Sequence, residues 1–184
     1  DQGVEGSYRF LKRVWAIVEK YQDFVKESKG DLSEDEFALR RKLHQTISKV
    51  TEDLDGKFAF NTAISAVMEL VNEMYRFSET HSVIEDKLAK ELVRNLLILL
   101  APFVPHITEE LWQQIGEKEN SVHDAEWPVC DESARGTIKV AVSMEKDEIA
   151  DLAKGLAEVQ KFIEGKTIVK TIVVPGRIVN IVVK

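Results

Sequence analysis

Positively charged side chains recur at helical spacing in two stretches of the 184-residue sequence. Arg9 and Arg13 are four residues apart, so one face of a helix would present both guanidinium groups to a phosphate backbone. The second stretch contains Arg40, Arg41, Lys42 and Lys49. Such a stripe could bind phosphates, which arginine and lysine contact without reading base sequence. The same pattern is typical of a solvated helix face or of ion pairs within a bundle, and charge alone does not choose between these interpretations.

Catalytic chemistry is not indicated anywhere in the sequence. There is no phosphate-binding glycine loop, no paired-cysteine motif and no nucleophile with a neighbouring base. Widely spaced histidines are expected on the surface or at helix ends rather than at a metal, and they are His44, His81, His106 and His123. The single cysteine, Cys130, excludes an internal disulfide and cannot form a thiolate metal site alone. We therefore expect no active site, metal or cofactor in this chain.

Three aromatic residues could either stack on a nucleic-acid base or pack within the protein. Trp127 beside Pro128 could stack on a nucleic-acid base, but a tryptophan that seals the end of a helical domain is more common. Phe58 and Phe60 carry the same ambiguity, because Phe58 can pack against the start of a helix while Asn61 caps it.

Composition indicates a folded protein with a substantial core. Hydrophobic residues make up 44% of the chain, and the formal charge is −7, which argues weakly against nucleic acid because phosphate binding requires lysine and arginine. The longest apolar run, residues 96–104, is about half of the roughly 20 residues that span a bilayer. The polar, acidic first residues lack the order of a secretory signal, so we expect a cytoplasmic protein without membrane contact.

Apolar residues at three- and four-residue spacing predict an antiparallel bundle of five helices. The predicted helices cover residues 8–25, 33–54, 63–75, 88–99 and 109–115. Ser33 and Glu36 have capping-box spacing at the start of the second helix. Pro102 is expected to end the fourth helix, and Gly116 to cap the fifth. No strand is expected before residue 120.

The hydrophobic period changes after Arg135. Residues 137–142 alternate like a strand, residues 149–162 return to helical spacing with Gly165 as the stop, and two β-branched runs at 168–174 and 178–183 predict a hairpin. The fold class predicted is therefore mainly α, with a helical bundle in residues 1–130 and a small α+β domain in residues 131–184.

Several segments resemble those of one family in unbroken order. They are GVEGSYRFLKRVW (3–15), LRRKLHQTI (39–47), FNTAISAVME (60–69), APFVPHITEELW (101–112), Trp127-Pro128 and VPGRIVN (174–180). Together they resemble the C-terminal part of bacterial leucyl-tRNA synthetases over essentially the whole chain. The APF segment is shared more widely among class I synthetases.

This resemblance implies a bundle that packs along the inside of the L-shaped tRNA and a terminal domain that reaches its elbow. The expected partners are tRNA(Leu) and the catalytic and editing domains of the same parent chain. Family members activate leucine with ATP and Mg through His-Ile-Gly-His and Lys-Met-Ser-Lys-Ser motifs, which are absent here. The chain alone is thus expected neither to bind ATP nor to aminoacylate tRNA. It is expected to recognise RNA through the backbone and shape of the RNA.

The resemblance also implies which charged residues contact the tRNA. For the bundle it implies phosphate contacts from Arg9, Arg13, Arg40, Arg41, Lys42 and Lys49. For the elbow it implies contacts from Lys170 and Arg177, although cations beside a hairpin also protect sheet edges from aggregation.

Two other functions remain open from the sequence. The same domain from a valyl, isoleucyl or methionyl synthetase is one, but no terminal cysteine cluster or heptad arm is present. The other is a helical protein-interaction module without RNA binding. A helical bundle with a charge of −7 is sufficient for that function.

The join between Ala134 and Arg135 departs from the family pattern. Relatives have an apolar strand and a turn here, and loss of that strand would leave a sheet edge bare. We therefore expect about a dozen or more residues to be missing at this join, with α-carbons farther apart than the roughly 3.8 Å of a trans peptide.

Overall fold

The computed structural model describes residues 2–26, 31–56, 58–117, 120–135, 144–156, 159–160, 163–174 and 178–184. Its helices are α1 (Gln2–Asp23), α2 (Glu34–Leu54), α3 (Phe60–Thr80), α4 (Asp86–Leu100), α5 (Pro105–Ile115), α6 (Glu132–Arg135) and α7 (Lys146–Gly155), with a 3-10 turn at Val122–Asp124. The strands are β1 (Val25–Lys26), β2 (Ile84–Glu85), β3 (Ile168–Val174) and β4 (Ile178–Val183). The predicted fold class, a helical bundle followed by a small α+β region with a hairpin, is confirmed.

Local sequence explains how the helices of the bundle begin and end. Ser33 accepts a hydrogen bond from the Glu36 amide while the Glu36 carboxylate accepts one from the Ser33 amide, as the capping-box spacing predicts. Gly116 ends α5 in the left-handed conformation, with φ of 68°. α5 begins at Pro105, four residues earlier than expected, because proline suits the first helical position.

The start of α3 differs from the sequence prediction. The N-cap position is Ala59, which makes no side-chain capping bond, and the helix already includes Asn61. The predicted Asn61 cap is therefore wrong. Thr62 stabilises this turn instead, since its hydroxyl donates to the Asp53 carboxylate at 2.6 Å.

A two-residue parallel pair joins the bundle at one end, where Val25 lies opposite Ile84 and Lys26 opposite Glu85. The expectation of no strand before residue 120 is therefore wrong. Strands of two residues leave no periodic signal in a sequence, which is why this pair was not predicted. The pair places the end of α1 beside the connection between α3 and α4.

One hydrophobic core holds the bundle together. It draws buried side chains from α1 to α5, and the largest fully buried ones include Trp112, Tyr21 and Met74. The Tyr21 hydroxyl donates to the Met74 carbonyl oxygen at 2.8 Å. Burial raises the pKa of Tyr21, so this phenol stays a neutral donor that fastens α1 to α3.

The chain divides into two compact units, residues 1–135 and 136–184. In the second unit β3 and β4 pair antiparallel, with Thr171 opposite Ile181, as the hairpin prediction expects. The predicted helix 149–162 is interrupted: α7 ends at Gly155, because the Leu156 backbone is extended, with ψ of 134°. Residues 159–160 and 163 are again helical, and Gly165, the predicted stop, is left-handed with φ of 73°. The predicted strand 137–142 and the Pro175-Gly176 turn lie outside the described residues.

The expectation that residues are missing between Ala134 and Arg135 stays a prediction. Both residues belong to α6, whose helical backbone runs continuously through the join. Asp131 stabilises the start of this helix, since its Oδ1 accepts hydrogen bonds from the Ser133 hydroxyl at 2.6 Å and the Ser133 amide at 3.0 Å.

Candidate nucleic-acid interface

The cations of α1 lie on the outer surface of the bundle. The Arg9 side chain is 70% exposed, and its nearest carboxylate oxygen, on Glu5, is 3.9 Å away. Such an exposed pair is weak in water. Arg9 therefore offers its guanidinium donors to a partner at little energetic cost.

Arg13 is positioned by neutral groups. Its Nη2 donates to the Asn72 side-chain oxygen at 2.8 Å, and its guanidinium carbon lies 4.7 Å from the centre of the Tyr75 ring. The Tyr75 hydroxyl donates to the Arg13 carbonyl oxygen at 2.9 Å, which joins ring and helix. Because none of these partners carries negative charge, the positive charge of Arg13 is oriented but not neutralised.

Two further cations lie on these helices, Lys20 on α1 and Arg76 on α3. The Lys20 ammonium donates to the Ser78 hydroxyl and carbonyl at 3.0 and 3.1 Å. Arg76 is 71% exposed, with Glu73 3.1 Å away. Sequence analysis missed both residues. Lys20 lies seven residues after Arg13, the same side of a helix, and that spacing was the available signal.

The cations of α2 have internal partners. Arg40 makes two hydrogen bonds to the Glu91 carboxylate, at 2.9 and 3.1 Å, and a third to Asp131 at 3.1 Å. The hydrogen bond with Glu91, more than any other interaction, raises the pKa of Arg40. The positive charge of Arg40 is therefore paired with one carboxylate on α4 and one in the segment before α6.

His44 completes this network, and it is buried in the middle of α2, with only 4% of its surface exposed. The Asp131 amide donates to Nδ1 at 3.1 Å, which leaves Nε2 to donate to Glu91 at 2.9 Å. Burial alone would raise the pKa of Glu91, but hydrogen bonds from His44 and Arg40 outweigh it and lower that pKa. The expectation that every histidine lies at the surface or a helix end is wrong for His44.

The remaining α2 cations point in other directions. Arg41 lies 5.3 Å from the centre of the Phe37 ring, and its buried Nε makes no hydrogen bond. Lys42 reaches Glu69 on α3 at 2.7 Å, and Lys49 reaches the buried Asp53 at 2.5 Å. Successive helical residues are rotated by about 100°. Arg40, Arg41 and Lys42 therefore do not share one face of α2, and their phosphate contacts stay a prediction.

The two cations assigned to the second unit are described only in part. Lys170 lies on β3 with an exposed side chain. Arg177 lies outside the described residues. Among aromatic candidates, Trp127 is 36% exposed, and its indole N–H donates to the Thr51 hydroxyl at 2.9 Å.

A family model, the anticodon-binding domain of tRNA ligase, matches residues 36–170. That is 135 of the 184 residues. The chain belongs to this family. Its helical bundle is thus the framework of a tRNA-ligase anticodon-binding domain, and α1 precedes the matched range.

Curated relatives match the whole chain. It is 41% identical over 203 aligned positions to a leucine–tRNA ligase of Geotalea uraniireducens and 43% identical over 206 positions to one of Thioalkalivibrio sulfidiphilus. All of this chain is covered in both comparisons, but only 24% and 25% of the relatives. The chain therefore spans about a quarter of the length of the curated relatives that it matches.

A solved structure shares this fold. It is the ternary complex of Agrobacterium radiobacter K84 agnB2 LeuRS with tRNA and LeuAMS, and the match has a TM-score of 0.67 at 28% identity. It covers all of this chain and 26% of that chain. The resemblance to leucyl-tRNA synthetases that the sequence motifs indicate is thereby confirmed.

Neither a membrane span nor a metal cluster is found in the described parts of the chain. None of their helices is long and apolar enough to cross a bilayer. No group of three histidine, cysteine, aspartate or glutamate residues in those same parts is arranged to hold a metal ion.

Proposed function

We propose that this chain is the tRNA-binding part of a leucine–tRNA ligase, which positions tRNA(Leu) for ATP-dependent leucylation by a catalytic domain elsewhere in the parent protein. The observation that carries this proposal is identity of 41–43% to leucine–tRNA ligases across the entire chain. ATP and Mg would be bound by the parent enzyme, and its expected location is the cytoplasm.

The charge arrangement supports the bundle surface between α1 and α3 as the RNA contact. Arg13 is held by the neutral Asn72 side chain, and the carboxylate nearest to Arg9, on the exposed Glu5, is 3.9 Å away. Guanidinium groups bind phosphates in bidentate geometry. Arg40, Lys42 and Lys49 already bind carboxylates. For them, a phosphate contact would first require exchange of an internal partner, so they rank below the α1 pair.

The two units are proposed to have different contacts. The bundle, which ends at residue 135, would lie against the anticodon-stem side of the tRNA. The second unit would meet the elbow, with Lys170 and Arg177 as candidates. Arg41 stays a candidate in the bundle, because its guanidinium stacks on Phe37 without a carboxylate among the contacts that the structure shows.

Titration of the chain with labelled tRNA(Leu) at two salt concentrations tests this proposal. Binding through phosphates releases counterions, so the logarithm of the association constant should fall linearly with the logarithm of salt concentration. Polyglutamate of similar length provides the matched non-RNA polyanion. Absence of tRNA binding at low salt, or equal binding of the polyglutamate, would contradict the proposal.

A further inference from the structure

One face of α2 holds residues 127–131, the segment that leads to α6. Three residues of α2, spaced by four and seven positions, share this face: Arg40, His44 and Thr51. The indole N–H of Trp127 donates to the Thr51 hydroxyl at 2.9 Å, and the Cys130 thiol donates to the His44 carbonyl oxygen at 3.3 Å. The segment therefore follows α2 over roughly three helical turns.

Asp131 is hydrogen-bonded to α2 and to α6 at the same time. Its Oδ2 accepts from Arg40 at 3.1 Å, and its amide donates to Nδ1 of His44 at 3.1 Å. Its Oδ1 accepts from the hydroxyl and amide of Ser133 and, at 3.4 Å, from the Ala134 amide. One carboxylate thus caps the first turn of α6 and joins that helix to α2.

Glu91 on α4 holds the two α2 side chains that contact Asp131. It accepts two hydrogen bonds from Arg40, at 2.9 and 3.1 Å, and lies 2.9 Å from Nε2 of His44. His44 is buried, so its ring has little freedom to turn away. Because charge-assisted hydrogen bonds in a partly buried network reinforce one another, α2 and α4 present a preformed surface to Asp131.

These contacts end where the second unit begins. α6 packs against α2, and Ala134 on α6 is buried. The bundle unit ends at residue 135, and the second unit begins at residue 136. The last residues of the bundle are therefore held on α2 immediately before the chain enters the second unit.

The same geometry disfavours a direct phosphate contact from Arg40. Its side chain is 25% exposed and is already hydrogen-bonded to two carboxylates. A phosphate that took the place of Asp131 would break the joint between α2 and α6. Arg40 is thus better placed to hold Asp131 than to bind RNA.

We propose that Arg40, His44 and Thr51 form a clamp that fixes the point where the chain leaves the bundle. The inference rests on the proposed function, in which the second unit contacts the same tRNA as the bundle. Two linked binding units act together best when the second is already held within reach of its target. Restraint before binding also lowers the entropy that is lost on association. Arg40 is then a positioning residue rather than a phosphate contact.

Spin labels test the clamp without RNA. The full chain carries nitroxides at Glu79→Cys on α3 and Asp151→Cys on α7, both exposed, and Cys130→Ser keeps a hydroxyl donor. Pulsed electron paramagnetic resonance then gives the distribution of distances between the two labels. Asp131→Ala should widen this distribution about twofold, because it removes the oxygens that accept hydrogen bonds from α2 and α6.

Two matched variants separate the clamp from charge and from stability. Asp131→Asn makes the same change of charge as Asp131→Ala but keeps an oxygen that can accept from Arg40 and cap α6, so it should keep the parental width. Tyr21→Phe removes one buried hydrogen bond between α1 and α3, away from the clamp, and should also keep that width. Equal widths for all variants, Asp131→Ala included, would overturn the inference.

Binding of tRNA(Leu) separates the clamp from a phosphate contact. Asp131→Ala should bind tRNA about fivefold more weakly than Asp131→Asn, with the same salt slope, because the second unit is less restrained. If Arg40 contacted a phosphate itself, Asp131→Ala would release it, so binding would tighten and the salt slope would steepen by about 0.9. Equal affinity of the two variants, or tighter binding by Asp131→Ala, would overturn the inference.

Failure of the proposed function would be distinct. No form of the chain, parental or variant, would then bind tRNA(Leu). The label distances are measured without RNA, so a wider distribution for Asp131→Ala would still support the clamp as a restraint on the second unit.

Discussion

The cations of α1 and those of α2 have similar helical spacing in the sequence but lie in different electrostatic environments. Arg9 is 70% exposed and 3.9 Å from its nearest carboxylate, whereas Arg40 is 25% exposed and hydrogen-bonded to two carboxylates. Arg13 is held by an amide and a phenol ring, while Lys42 is paired with Glu69. Arg40 and Lys42 are thus paired with carboxylates of the bundle, whereas Arg13 keeps an unneutralised charge and Arg9 has only one weak, exposed partner.

The difference teaches that positively charged residues in this helical bundle have two kinds of environment. Carboxylates pair with three of the α2 cations, since Arg40 meets Glu91 and Asp131, Lys42 meets Glu69 and Lys49 meets Asp53. The cations of α1, by contrast, are held mostly by neutral groups. The formal charge of −7 is thus a poor guide to RNA binding, because it sums over both surfaces.

The largest effect is expected from Glu91→Ala, which removes the carboxylate shared by Arg40 and His44. Loss of this partly buried acceptor should lower the free energy of unfolding by about 2–3 kcal/mol. Urea unfolding followed by circular dichroism measures it. The matched control is Glu79→Ala on the exposed side of α3; a similar loss for both variants would mean that the network adds nothing specific.

The double change Arg9→Ala with Arg13→Ala should weaken tRNA(Leu) binding about tenfold and reduce the salt slope by about 1.5, as expected for two phosphate contacts. Lys42→Gln with Lys49→Gln removes the same formal charge from α2 and should change affinity less than about twofold at physiological salt. Filter binding at several salt concentrations measures both. The reverse ranking would assign the RNA surface to α2.

Acid should weaken the junction at Asp131. The hydroxyl of Ser133 is the main cause that lowers the pKa of this carboxylate, from 3.8 to about 2. Because the folded-state pKa is depressed, the stabilisation is present above about pH 4 and is lost as pH falls toward 2. The carboxylate is 37% exposed, so solvent screening limits the effect to about 1 kcal/mol.

Chemical unfolding between pH 5 and 2 checks this expectation. Asp131→Asn should flatten that part of the pH profile, since asparagine can still cap α6 but does not titrate. An unchanged profile would mean that Asp131 is not the group responsible.

The smallest effect is expected from Glu69→Gln. The hydrogen bond from Lys42 lowers the pKa of Glu69, but the carboxylate is 66% exposed. Exposed ion pairs contribute little, so the cost should be about 0.3 kcal/mol and should vanish in high salt. Thermal unfolding at low and high salt measures the difference; a loss as large as that of Glu91→Ala would remove the distinction between the two kinds of pair.

Much of the fold could be predicted from local sequence. Ser33 and Glu36 specify the start of α2, Gly116 specifies the end of α5, and the β-branched runs specify the hairpin, because each signal acts within a few residues. The β1–β2 pair could not be predicted, since Val25 and Ile84 meet only after the helices have packed. The left-handed Phe58 likewise depends on its hydrogen-bonded neighbours rather than on its own preference.

The sequence by itself determined the helical period, the caps and the motifs that place the chain among tRNA-ligase anticodon-binding domains. Only the tertiary structure decided which cations are neutralised. Arg40 meets carboxylates 51 and 91 residues away along the chain, and Lys42, two positions later, meets one on a different helix. Neighbouring residues of a helix point in different directions, so their partners depend on which helices pack beside them.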